Sequence, residues 1–462
     1  MLLALSAISA KAQSVEIEGN WLGTLETGGT KMRLVLKIVS EADNLTAKLD
    51  SIDQGVRDLP VSSIRQEGET VNFSADKFGL SFTGIINEKR DELNGIFKLG
   101  PSSFPFVFKR ISEIPKLNRP QTPDKPYLYL EEEVSYQNTT DNIRLAGTLT
   151  LPKSSGKHPA VILITGSGAQ DRDSTIAGHR PFLVLADYLT RRGIAVLRVD
   201  DRSIGGSSKG SKADTSENLA GDVLAGIEFL KRRKDINPKK IGLIGHSEGG
   251  MIAPMAAVRS KDVAFIILLA GLGQTGEDVI YTQTDLMQKA QGVQAEIRAQ
   301  TTDLLRKIFG IIKTQPDNKI AEGQINETIS KNSASMTEEQ RKNFARMEEI
   351  FKAQIPVYLS AWFRYFISYN PRPTLEKVKI PVLALNGEND LQVAAKENLD
   401  LIAADLKTGK NKDFTVKSFP KLNHLFQTTQ TGLVNEYGVI EETISPIVLE
   451  TVANWILERT KK

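Results

Sequence analysis

Ser247 stands in Gly245-His246-Ser247-Glu248-Gly249, directly after the apolar run Ile241-Gly242-Leu243-Ile244 and directly before Gly250-Met251-Ile252-Ala253. A serine hydroxyl is a weak nucleophile at neutral pH. It needs a general base, and the base needs a third group to fix its tautomer. His424, in Phe419-Pro420-Lys421-Leu422-Asn423-His424, is the only histidine downstream of the serine. Between them, Val382-Leu383-Ala384-Leu385-Asn386-Gly387 closes on Glu388-Asn389-Asp390. Asp390 lies three residues past the glycine, where a carboxylate can turn back toward the end of a strand; Glu388 is its nearest competitor. His246 adjoins Ser247, but at a tight turn its side chain is expected to point away and to serve structure.

An acyl-transfer reaction also needs N–H donors for the developing oxyanion. The residue after the nucleophile supplies one, the backbone of Glu248. The loop Thr165-Gly166-Ser167-Gly168-Ala169-Gln170 supplies the other, with Ser167 the first choice and Gly168 or Ala169 next.

These groups need a scaffold that turns sharply from strand to helix. A nucleophile at such an elbow takes a strained backbone conformation, and small residues two positions to either side let the chain pass without collision. From residue 128 on, apolar strand-like runs alternate with helical stretches: Pro159 to Gly166, Arg180 to Arg192, Gly193 to Asp200, Ser216 to Arg233, Lys240 to His246. Runs without polar alternation indicate parallel strands covered on both faces. Between Leu272 and about Leu375 the pattern becomes polar and helical, a long insertion expected to cap the site. Its segment Tyr358, Trp362, Phe363, Tyr365, Phe366 offers aromatic walls for an acyl pocket, or a core for the cap itself.

Residues 15–111 read differently. Met32, Leu34, Leu36 and Ile38 fall on one face of a strand, as do Phe104, Phe106 and Phe108. Turn signals at Gln66 to Gly68 and Asn87 to Arg90 help to divide this region into about eight strands, an antiparallel barrel or sandwich that shields the catalytic unit or binds a ligand. Pro115, Pro120, Pro123 and Pro126 then mark a linker. The expected organisation is a β-domain over 15–111, a linker over 112–127, an α/β unit over 128–273 and 376–462, and a cap over 274–375.

The 462 residues suit two domains, and a net charge of +3 without long blocks of one sign gives no sign of a nucleic-acid partner. There is no cysteine, and the four histidines lack the paired spacing of a zinc site, so neither a metal nor a cofactor is expected. The partner should be a small molecule, an ester or short peptide. The opening Met1 to Gln13 is an apolar run ending in Ala10-Lys11-Ala12, which reads as an export signal over 1–12 and places the protein in a bacterial periplasm or outside the cell. No other stretch reaches the roughly 18 apolar residues of a membrane span.

The segments Leu163 to Asp173, Val196 to Ser208, Gly242 to Pro254, Pro381 to Val393 and Leu422 to Gln427, in that order, resemble the α/β-hydrolase superfamily, and within it bacterial hydrolases grouped with serine aminopeptidases and carboxylesterases. The resemblance covers about 128–460. It implies Ser247 as nucleophile, Asp390 as acid and His424 as base, and a serine hydrolase working through an acyl-enzyme. The loop begins Thr165-Gly166 where the superfamily commonly has His-Gly. A carboxylic ester of small to medium acyl size is the first-choice substrate. An aminopeptidase would need an anion for the free amine, for which the cap offers Glu277, Asp278, Glu348 and Glu349; a non-catalytic ligand-binding protein is the reading from another class. Asp200, Asp201 and Arg202, with Asp171, Arg172 and Asp173, are expected to tie loops together or to meet a polar substrate end.

Overall fold

The computed structural model describes residues 17–461 except 28–29, 42–43, 101 and 335, so the expected export signal lies outside the described residues. The chain forms two compact units divided between Asn118 and Arg119, with Ile176–Gly178 grouped with the first.

The first unit is one antiparallel sheet of nine strands among the described residues: β1 (Gly19–Thr27), β2 (Thr30–Glu41), β3 (Asn44–Ser51), β4 (Val56–Pro60), β5 (Ser63–Glu67), β6 (Thr70–Ala75), β7 (Leu80–Ile86), β8 (Glu92–Leu99) and β9 (Ser102–Ile111). Their order, β4-β3-β2-β1-β9-β8-β7-β6-β5, is a meander curled into a half-barrel. Alternation sends Leu34, Leu36 and Ile38 to its buried face with Phe73, Phe82, Phe97, Phe106 and Phe108. Phe82 and Phe108 meet edge to face at 5.3 Å, as do Phe106 and Phe108 at 4.7 Å. Trp21 is fully buried among them, its indole N–H donating to the Ile17 carbonyl at 2.8 Å.

In the second unit, β10 (Leu130–Asn138) and β11 (Ile143–Leu151) form a hairpin at the edge of a sheet continued by β12 (His158–Ile164), α1 (Pro181–Thr190), β13 (Ala195–Val199), α2 (Ser216–Lys231), β14 (Ile236–His246), α3 (Glu248–Ala257) and β15 (Val263–Leu269). Five helices, α4 (Gly276–Ala290), α5 (Ala295–Thr314), α6 (Asn318–Ala334), α7 (Glu338–Tyr358) and α8 (Ala361–Ser368), then precede a single helical turn, α9 (Arg372–Leu375). The sheet resumes with β16 (Val382–Gly387), α10 (Ala395–Thr408), β17 (Phe414–Phe419) and a last helix α11 (Pro446–Thr460).

Strand order is β10-β11-β13-β12-β14-β15-β16-β17, parallel from β13 through β17. Successive residues of one strand face opposite ways. Val161 and Leu163 pack with α1 and α11, whereas Ile162 and Ile164 pack with α2 and α3. This is the α/β-hydrolase architecture with a helical cap inserted after β15. Within the cap, Leu304, Leu305, Ile308, Phe309 and Ile312 recur at helical spacing along α5 and are buried.

Candidate active site

The elbow is set by steric exclusion. A Cβ on Gly245 would lie 1.9 Å from the Gly249 carbonyl oxygen, and one on Gly249 would lie 2.3 Å from the Ile164 carbonyl oxygen. Only glycine fits either position, which explains the spacing around Ser247 physically. Ser247 itself sits at φ 55°, ψ −118°, in the left-handed half of backbone space, held by its N–H to the Leu269 carbonyl at 2.9 Å. Such a conformation costs on the order of 1–3 kcal/mol for a non-glycine residue and collects at functional sites.

His424 and Asp390 come together across 34 residues. Nδ1 of His424 lies 2.8 Å from Asp390 Oδ2, both side chains buried. Asp390 Oδ1 accepts the Gln392 and Val393 N–H groups at 2.8 and 2.9 Å, which fixes the carboxylate and leaves Oδ2 for the imidazole. With the proton on Nδ1, Nε2 keeps its lone pair. Among the described residues Nε2 makes no hydrogen bond to Ser247 Oγ or to any other group; contacts of this kind tighten when substrate binds. Glu388 turns elsewhere, accepting from Ser418 Oγ at 2.8 Å. His246 does point away from the serine: its Nε2–H donates to the His424 carbonyl at 2.9 Å, the two rings 4.7 Å apart, so it ties the elbow to the histidine loop.

His179 ties the same region from behind, through Nε2 to the Tyr437 carbonyl at 2.9 Å and Nδ1 to Thr443 Oγ1 at 2.8 Å. Burial pushes His179 down to about 4 and His246 down to about 3 from an ordinary 6.5. Between those values and 6.5 the unfolded chain binds more protons than the folded one, so both groups favour folding fully above pH 6.5 and lose that contribution as pH falls. Thermal denaturation scanned from pH 8 to 4 should show Tm falling progressively below about 6.5, with a shallower slope in His179→Gln. A flat profile for the wild type would contradict this.

The loop after β12 lies against the elbow. A Cβ on Gly166 would come within 3.2 Å of Ser247 Cβ. Ser167 is exposed, and no protein acceptor takes its N–H or that of Glu248 among the described residues. The Thr165 hydroxyl donates to Asp201 Oδ1 and Oδ2 at 2.9 and 2.8 Å, and the Gln170 N–H to Oδ2 at 2.8 Å. Burial, with Glu248 and Asp222 nearby, pushes Asp201 up to about 7.

One side-chain role escaped sequence reasoning. The Glu248 carboxyl, noted only for its backbone, is almost fully buried and accepts from Ser216 Oγ at 2.6 Å and Trp362 Nε1 at 2.9 Å, linking the elbow to α2 and to the cap. Burial pushes it up. Trp362 is also the only one of the five cap aromatics that lines the cavity of about 220 Å³ beside the elbow, with Gly168, Ala169, Asp201, Leu219 and Glu248. Tyr358 and Phe363 pack on Phe309 in the cap's own core, and Tyr365 stacks on Tyr369. A larger groove of about 830 Å³ between β10 and α2 contains none of the candidate residues.

Most of the charged residues flanking the site are consumed by one another. Arg172 joins Asp200 at 2.7 Å and Glu133 at 2.5 Å; Asp173 pairs with Arg180 and Arg198; Arg202 reaches Asp222, Asp141 and Asp214. They hold loops in place. Of the cap acids, Glu277 pairs with Lys313, Asp278 accepts from the hydroxyl of Thr275, the N-cap of α4, Glu348 pairs with Lys352 and Glu349 is exposed.

Residues 141–411 match the X-Pro dipeptidyl-peptidase (S15 family) pattern, more than half of the chain. The chain belongs to the X-Pro dipeptidyl-peptidase (S15) family. The S15 match contains Ser247 and Asp390 and ends before His424. This S15 chain is also similar to Esterase EstD of Thermotoga maritima, 25% identical over 314 residues that make up 68% of the chain and 66% of EstD. It is 31% identical to Thiohydrolase aneE of Aspergillus aculeatus over 146 residues, 30% of the chain and 43% of aneE. It therefore spans somewhat under two thirds of the first of these relatives and less than half of the second. Among solved structures it overlaps the Pyrococcus furiosus esterase PF2001 with a TM-score of 0.42 at 17% identity, covering 74% of this chain and 97% of that one. Est1E of Butyrivibrio proteoclasticus, with ferulic acid bound, overlaps with a TM-score of 0.40 at 16% identity, covering 71% of this chain and all of that one. Sheet order, rather than these overlaps, carries the fold.

Proposed function

We propose that the protein is a carboxylesterase acting on small to medium acyl esters through Ser247, His424 and Asp390. The strained backbone of Ser247 at the turn between β14 and α3 is the observation that carries this reading. His424 Nε2 takes the hydroxyl proton as Oγ attacks the ester carbonyl. The N–H groups of Glu248 and Ser167 hold the resulting oxyanion, and Asp390 stabilises the imidazolium. His424 then protonates the departing alkoxide, and water, deprotonated by the same imidazole, releases the acid and restores the serine.

The small cavity beside Glu248 and Trp362, which adjoins the elbow without being lined by Ser247 or His424, has room for a short acyl or alkoxy group. Similarity to Esterase EstD favours ester over amide, as does the engagement of three of the four cap acids, Glu277, Asp278 and Glu348, by Lys313, Thr275 and Lys352. S15 membership favours a peptidase as the second reading. Rates on p-nitrophenyl acetate, butyrate and octanoate beside aminoacyl-coumarin amides decide between them. The esterase reading expects the highest kcat/KM on acetate or butyrate, and a higher value on any amide would replace it with the peptidase. No turnover of either class would leave a ligand-binding protein.

Asp390→Asn tests the acid. An asparagine amide would donate to the histidine and force the wrong tautomer, so kcat should fall about 10⁴-fold with KM little changed; a loss under tenfold would remove Asp390 from the mechanism. Export remains part of the proposal and is checked by N-terminal sequencing of protein recovered from the periplasm, expected to begin at Gln13.

A further inference from the structure

Asp201, on the loop after β13, has no part in the chemistry proposed above, yet it is a half-buried carboxyl group without a cation. Its neighbours differ: Asp200 is paired with Arg172, and Arg202 is shared by three aspartates. Among the described residues no lysine or arginine forms an ion pair with Asp201, and removing a carboxyl group from water without one costs stability. What Asp201 holds instead is a loop. The Thr165 hydroxyl at the loop's start and the Gln170 N–H at its end both donate to this one carboxylate, within 2.9 Å. The Asp201 N–H returns a bond to the Gln170 carbonyl at 3.0 Å, and the Gln170 side chain donates to the Ser167 carbonyl at 3.2 Å. The clasp leaves little slack, since Gly166 passes so close to Ser247 that even a methyl group would crowd its Cβ.

We propose that Asp201 is a positioning residue for oxyanion stabilisation, closing the Thr165–Gln170 loop at both ends so that the Ser167 N–H is aimed at the atom attacked by Ser247. This rests on the acyl-transfer reading of Ser247. Donors aimed at charge that exists only in the transition state act on kcat and leave ground-state binding almost untouched. Removing one oxyanion donor altogether costs about 10²–10³ in kcat; loosening its support should cost roughly 10- to 100-fold.

The test compares wild type, Asp201→Ala, Thr165→Val and Ser247→Ala on p-nitrophenyl acetate, with inhibition by phenylboronic acid, which forms a tetrahedral adduct on a serine. Asp201→Ala removes the Oδ2 that both donors share; Thr165→Val removes one donor and serves if the first variant does not fold. Either variant should lose kcat about 10- to 100-fold with KM within about threefold, and should lose boronate affinity by the same factor as kcat/KM. A kcat within twofold of wild type, a loss carried by KM, or a loss of kcat with boronate affinity unchanged would overturn the assignment. Full activity in Ser247→Ala would instead overturn the acyl-transfer reading beneath it.

Discussion

Ser247→Ala is expected to lower kcat on p-nitrophenyl acetate by about 10⁴-fold or more, leaving the folded protein intact and unreactive toward fluorophosphonates. The size follows from removing the attacking atom: His424 and the N–H donors can then assist only a direct attack by water. The backbone at this position supplies an independent check. At φ 55°, ψ −118° alanine is as strained as serine, whereas glycine adopts such angles freely. Ser247→Gly should therefore be as inactive as Ser247→Ala but more stable, by about 1 kcal/mol. If the glycine variant were no more stable than the alanine variant, the strain would not be real; if Ser247→Ala kept more than about a hundredth of wild-type kcat, the nucleophile would be another residue.

The second large effect concerns stability. Arg202 is buried and holds Asp222 at 2.5 Å, Asp141 at 2.5 Å and Asp214 at 3.1 Å, joining the loop after β13 to α2 and to the β10–β11 hairpin. Burial already pushes the Asp222 carboxyl up. Arg202→Met removes the compensating charge and should cost about 3–5 kcal/mol, a fall in Tm on the order of 10 °C. Because most of that cost is the stranded aspartate rather than the lost pair, Asp222→Asn added to Arg202→Met should recover part of it, read as a non-additive double-mutant cycle. Additive losses would mean that the arginine acts through packing alone.

The turn at Ser247 was legible because its constraint is local. Gly245 and Gly249 are required by atoms only a few residues away or on the neighbouring strand, so the spacing is written in the sequence. The parallel strands were legible for a similar reason, since burial on both faces leaves no polar residue to interrupt the run. In the first unit, nine strands stand where about eight were expected. β4 and β5 are the two edges of the sheet; they are mostly exposed and short, β4 with Asp58 at positive φ and Pro60 at its end and β5 with Ile64 as its one buried residue, so they carry little apolar alternation to read. Harder still were Asp201, Glu248 and Trp362. Their roles depend on donors 31 to 114 residues away, and residue type alone does not say which buried hydrogen bonds will find it. The cap aromatics show the same limit, because helical spacing marks a buried stripe without telling whether it faces the cap's own core or the cavity.

The three tryptophans, finally, make the protein its own optical instrument. Trp21 is sealed in the half-barrel, Trp455 stands edge-on to Phe265 between α11 and the central sheet, and the Trp362 indole N–H rests on the carboxyl group next to Ser247. Emission from Trp21 follows the first unit, that from Trp455 follows the second, and that from Trp362 follows whatever enters the cavity. Variants keeping one tryptophan at a time can therefore separate the melting of each unit from the filling of that cavity, with no label attached.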